Sequence, residues 1–292
     1  MPSQPTTTRA RRPSPADRRR QRRRTRRQSA TRSLTLLVAA GLLVGAGAWA
    51  YQRSPLAPPA PGCSVTTADG TVDLAPDEAM RVASAVAVAH DRRLSTSRTA
   101  AAVAAARAGT GDGSTAADVA RWLSPTRTPV PTEDTAIAAA MLGGKDPALT
   151  CRARLADDLE VQPEGRSGLT PRADAVRAAF TALIGRQSLG GYAPGGVSNG
   201  HGARSAHYEG RAVDVFFRPI NAANRRDGWV LAQWLTAHAQ RLDVATVIFD
   251  DRIWTTARSR EGWRPYVNSD GPVSNDILQH RDHVHVDVQR GG

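Results

Sequence analysis

Apolar positions along the chain change character three times. From Ser33 to Tyr51 (SLTLLVAAGLLVGAGAWAY) they run without a single charge, and as a helix this stretch spans about 28 Å, close to the thickness of a bilayer's hydrocarbon core. Between residues 73 and 151 they recur at helical spacing. Pro76 and the acids Asp77 and Glu78 suit a first turn, and Met80, Ala83, Ala87 and Leu94 follow on one face. Ala-rich helices are predicted at about Thr99–Ala108, at Ala116–Leu123 and in the run ending at Gly143 and Gly144, with loops at Gly109–Ser114 and Pro125–Pro131. Past residue 168 helical and alternating patterns mix. Thr170 and Pro171 make an N-cap and first helical position for a helix carrying Val176, Phe180, Leu183 and Ile184. A Gly-rich stretch, Gly190–Gly202, precedes a strand at Ala212–Phe217, a helix at about Ala222–Leu242, and strands at Val244–Phe249 and His283–Val288. Helices and strands without regular βαβ repetition predict an α+β fold.

Charge divides the chain further. Residues 1–32 hold twelve Arg against the single Asp17, so this arm carries +11 of a formal net charge of +12. Arginines directly before an apolar span hold that side in the cytoplasm, while Trp49 and Tyr51 suit the outer interface. The reading is a cytoplasmic arm (1–32), a transmembrane anchor (33–51), a Pro-rich spacer (52–62), a helical module (63–162) and a C-terminal domain (165–292), with the folded mass outside the cell membrane. A cleavable signal peptide is the rival, because Ala48 and Ala50 form an A-x-A pattern, although a basic region of this length is long for one. Nucleic acid is not expected as a partner: no aromatic residue interrupts the basic arm, so bases would have nothing to stack on. Neither Gly cluster is a phosphate loop, since no G-x-x-x-x-G-K-[ST] is present.

The two cysteines, Cys63 and Cys151, would face an oxidising compartment in this topology and are expected to be joined. Two buried thiols are the alternative.

The candidate chemistry sits in two motifs. Ser205–Asp214 reads SAHYEGRAVD, or S-x-H-x-x-G-x-A-x-D, and residues 280–288 read HRDHVHVDV. A catalytic zinc takes three N or O ligands and keeps a fourth position open. His207, Asp214 and His285 supply such a set. Alternation along strands puts Ala212, Asp214 and Phe216 on one face and His283, His285 and Asp287 on another, so two neighbouring strands could aim Asp214 and His285 at a common point. Four of the seven histidines fall in these motifs, which favours metal binding over unrelated core or surface roles.

These motifs resemble those of the D-Ala-D-Ala carboxypeptidase and dipeptidase superfamily, with its murein endopeptidases and Hedgehog signalling domains. Within it the segment from about 168 to 289 most resembles the C-terminal domain of secreted or anchored actinobacterial proteins. The resemblance implies a small antiparallel sheet with flanking helices, Zn2+ held by His207, Asp214 and His285, and His283 beside the developing oxyanion. It places Asp282 where related peptidases carry a catalytic Glu. Asp is shorter, and a strictly extended strand would turn it to the valine face, so a chain bend before His283, or His280 or His283 as the base, stays open. His201, Arg204 and Ser205 are candidates for holding a peptide carboxylate or the scissile carbonyl. The helical module faintly resembles a lysozyme-like segment but lacks a Glu at a helix end. The expected function is a zinc metallopeptidase acting on peptidoglycan stem peptides; a non-catalytic zinc-containing cell-wall or protein-binding module is the competitor.

Overall fold

The computed structural model describes residues 62–292 apart from 112, 114, 125–128, 203 and 269–273. The basic arm, the expected anchor and all of the spacer but Gly62 lie outside the described residues. Among the described residues no helix is long and apolar enough to cross a membrane.

The fold is α+β with two antiparallel sheets. The chain enters through a hairpin, β1 (Cys63–Thr67) and β2 (Gly70–Leu74), then forms helices α1 (Pro76–Asp91), α2 (Thr96–Ala108), α3 (Ala116–Trp122) and α4 (Thr132–Met141). Strand β3 (Leu149–Cys151) returns to pair with β1, giving the order β2-β1-β3. This sheet was not anticipated from the hydrophobic pattern. Its register sets Cys63 opposite Cys151, and the two form a disulfide, as expected from the cysteine count.

The second half begins with α5 (Pro171–Ile184), where the Thr170 hydroxyl accepts from the Ala173 amide at 3.3 Å. Strands β4 (Ser188–Gly190) and β5 (Ala212–Phe216), helix α6 (Ala222–Ala237), and strands β6 (Val244–Phe249), β7 (Arg252–Thr255), β8 (Arg264–Pro265) and β9 (His283–Val288) follow. The sheet order is β4-β5-β9-β6-β7-β8, so the two motif strands β5 and β9 lie side by side at its centre. Helix α6 stops five residues before the predicted Leu242. Asp243 then takes a left-handed φ of 51° and turns the chain into β6.

One hydrophobic core runs through residues 63–292. Helix α1 is buried along Ala79–Ala89 because its side chains are small, and it packs on α6, whose Trp229 and Trp234 are fully buried. Polar bonds stitch the same boundary. Trp234 donates to Ser84 on α1 at 3.1 Å. Gln233 accepts from the amides of Ala148 and Leu149 at 3.0 and 2.9 Å, and donates to the Met141 and Trp229 carbonyls. At the surface end of this contact His90 and Arg93 both meet Asp227, at 2.6 and 3.2 Å.

Candidate metal centre

The register of β5 against β9 places Asp214 opposite His285, Phe216 opposite His283 and Ala212 opposite Asp287. The alternating pattern therefore puts one carboxylate and one imidazole directly across from each other on the same sheet face. The third group comes from a 3-10 turn, Ala206–Glu209, in which the Ser205 hydroxyl accepts from the His207 amide at 3.3 Å. Gly210 ends this turn at φ 60°, a left-handed conformation that glycine adopts without a Cβ penalty. The chain then reverses directly into β5.

The result is a compact triangle. His207 Nε2 is 3.1 Å from His285 Nδ1 and 3.3 Å from Asp214 Oδ1, and His285 Nδ1 is 3.1 Å from Asp214 Oδ1. Ligand atoms about 2.0–2.1 Å from a tetrahedral zinc lie about 3.3 Å apart, so these edges fit such an ion. All three residues are buried. His201 is also close: it, His207 and Asp214 offer ligand atoms within 4.8 Å of one another, a possible metal-binding triad.

Outer contacts fix which nitrogen faces inward. His207 Nδ1 lies 2.7 Å from the Gly191 carbonyl, which can only accept, so Nδ1 carries a proton and Nε2 faces the centre. His285 Nε2 faces Asp287 at 3.3 Å, leaving Nδ1 for the centre. An imidazole tethered through its far nitrogen to a carbonyl or carboxylate is the usual arrangement around protein-bound metals. Burial disfavours the His285 cation, but hydrogen bonds to Asp214 and Asp287 overcome this and lift its pKa to about 9. Burial likewise works against ionised Asp214, and hydrogen bonds from His207 and His285 outweigh it, holding the carboxyl well below the usual range. The point between these groups thus calls for a positive charge, a proton or a metal ion.

Around the triangle lies a cleft of about 710 Å3. His283 stands on its floor with Nε2 3.8 Å from Asp214 Oδ1 and Nδ1 donating to Asp282 Oδ1 at 2.7 Å. The other oxygen of Asp282 binds Arg218, whose Nε is 2.7 Å away and whose guanidinium lies 4.2 Å over the Phe216 ring. Burial raises the Asp282 pKa, but His283 and Arg218 together bring it below its ordinary value. The chain does bend before this segment: His280 has φ 56°. Burial, reinforced by His285 and His283, lowers its pKa to about 2. Of the residues expected to touch substrate, Arg204 is exposed at the cleft, Ser205 caps the turn of His207 while also lining the cleft, and His201 stacks on His207 with ring centroids 4.0 Å apart.

Four contributors escaped the sequence reading. Asp287 could have been found, since it shares the strand face of His283 and His285. The Gly191 carbonyl, Arg218 and Tyr208, which clamps the main chain of His201, act through contacts that no local spacing announces.

A family model described as VldE, C-terminal domain, matches residues 165–277, less than half of the chain. No curated protein and no solved structure matches. The matched stretch contains His207 and Asp214 and ends before His283 and His285, so the similarity it records reaches the first motif and not the second.

Proposed function

We propose that this protein is a zinc metallopeptidase of the D-Ala-D-Ala carboxypeptidase and murein endopeptidase type, hydrolysing peptide bonds of peptidoglycan outside the cell membrane. The observation that carries the reading is the triangle of His207 Nε2, Asp214 Oδ1 and His285 Nδ1, with edges of 3.1–3.3 Å and both imidazoles tethered from behind. These three residues would hold zinc. When bound, zinc supplies a Lewis acid that polarises a carbonyl and makes a water more acidic.

The chain supplies the proton carrier. Asp282 fixes the His283 ring through Nδ1, leaving Nε2 to take the proton of the attacking water and to return it to the leaving amine nitrogen. Asp282 itself is a positioning residue in this scheme. With its pKa held low it is a weak base, but it steadies the imidazolium while His283 carries the proton. Arg204, exposed on the cleft rim, would hold a substrate carboxylate.

Location follows from the charge asymmetry before Ser33, with residues 33–51 as the anchor, and the disulfide supports an oxidising compartment. Stem peptides of the wall are then the accessible substrate. One observation favours the non-catalytic reading: both oxygens of Asp282 are engaged, by His283 and Arg218.

Metal analysis of the full-length protein, followed by digestion of purified cell wall and mass spectrometry of the products, separates the readings. The expected result is about one zinc per chain, lost in His207→Ala and His285→Ala, together with release of stem-peptide fragments. An intact wall after treatment with zinc-loaded protein would favour the binding module, and absence of metal would refute both.

A further inference from the structure

Three protein ligands leave a zinc ion one open position, and His201 offers a further donor beside that position. Its ligand atom lies within 4.8 Å of those of His207 and Asp214. A tetrahedral edge is about 3.3 Å, so the ring would have to move inward by at most about 1.5 Å to join them. The ring lies nearly parallel to that of His207, 20° from coplanar, and among the described residues neither of its ring nitrogens has a hydrogen-bond partner.

Its backbone is held very differently. The His201 amide donates to the Tyr208 hydroxyl at 2.9 Å, and that hydroxyl donates to the His201 carbonyl at 2.6 Å. Tyr208 directly follows His207 in the 3-10 turn, so the residue that pins His201 moves with a ligand of the site. A main chain clamped at both polar groups, carrying a free imidazole beside the triangle, is a device for presenting that imidazole. A surface loop would otherwise leave it in solvent.

We infer that His201 is a fourth, displaceable ligand that closes the metal site when no substrate is present. The inference rests on the zinc-site reading above. A substrate oxygen would have to displace His201 before hydrolysis, so His201 holds the resting protein in a closed coordination shell.

The test uses full-length protein loaded with zinc or cobalt(II). Zinc affinity, measured by competition with a chromophoric chelator, should fall about 10–100-fold in His201→Ala, at least the loss expected when an outer contact of a metal site is removed. The cobalt d–d bands should weaken as a solvent position opens, and added free imidazole should restore them. Tyr208→Phe, which removes the clamp and leaves the ring, should show a smaller loss in the same direction, and circular dichroism checks that both variants are folded. Wild-type affinity together with an unchanged cobalt spectrum in His201→Ala would overturn the inference while leaving the three-ligand site standing. A wild-type protein that binds neither metal would instead overturn the site itself.

Discussion

Gly191 offers the sharpest test of how the site is built. It has φ 78°, and a Cβ added there would lie 2.3 Å from His207 Cε1, 2.5 Å from Nδ1 and 3.0 Å from Asp214 Oδ2. An L-residue in this left-handed conformation costs about 1–2 kcal/mol. The clash adds overpacking strain of about 1–3 kcal/mol, because His207 is only 3% exposed and has little room to yield. Opening the contact to an ordinary separation moves the imidazole by about 1 Å, which breaks its 2.7 Å bond to the Gly191 carbonyl and spreads the triangle. Gly191→Ala should therefore weaken zinc binding by at least about 10–100-fold. Gly195→Ala is the matched control, since it has φ 86° and nothing within 4 Å of the added Cβ. Both variants should melt at lower temperature, but chelator competition should find weakened zinc binding only in Gly191→Ala. Equal affinities in the two would refute the claim that this glycine exists to seat His207.

Asp282→Asn should keep its zinc while turnover of peptidoglycan fragments falls by about 10²–10⁴, the range for a disabled acid–base group; unchanged turnover would remove the Asp282–His283 pair from the chemistry. Replacing Cys63 and Cys151 together by Ser releases a crosslink with a sequence separation of 88, and urea unfolding should show a loss of about 4–5 kcal/mol in the loop-entropy account, whereas a loss under about 1 kcal/mol would contradict it. Burial raises the Asp227 pKa, but hydrogen bonds to His90 and Arg93 outweigh it and set the folded pKa below the ordinary value. Its contribution is then present above the unfolded value of about 3.9 and is lost as pH falls through the folded pKa. Asp227→Asn should accordingly melt below wild type at pH 7, with the gap closing under strong acid; a gap independent of pH would assign the effect to packing.

The parts of this architecture that repeat with a short period were readable from the chain. Alternation in Ala212–Phe216 and His283–Val288 placed Asp214 and His285 on faces that could converge, and the register puts them opposite each other. The Thr170–Pro171 start of α5 was equally local. The local β1–β2 hairpin was missed despite its short turn, and most of the rest of what escaped depends on distant partners. Strands β3, β4 and β8 have only three, three and two residues, too few to show a period, and exist because neighbouring strands complete their hydrogen bonds. Helix α6 was overextended because Ala239 and Leu242 continue the apolar pattern, while the left-handed turn at Asp243 leaves no such mark. Within the site, the sequence pointed to the inner groups but not to what orients them, since Gly191 and Arg218 act on His207 and Asp282 across 16 and 64 positions.

The shared core bears on how the protein can be divided. A boundary near residue 165 looks natural from the motifs, yet α6 behind the central sheet uses α1 and β3 as its other wall. Cutting there would leave Trp234 without Ser84 and strand the buried amide of Gln233, which satisfies two amides and a carbonyl of the preceding segment. Exposing one such tryptophan surface is comparable to a large core truncation, about 3–5 kcal/mol. The half that carries the candidate site is therefore not a portable cassette: transplanted alone it would keep the triangle's residues but not its foundation, and the helices before it are inherited with the site as its scaffold.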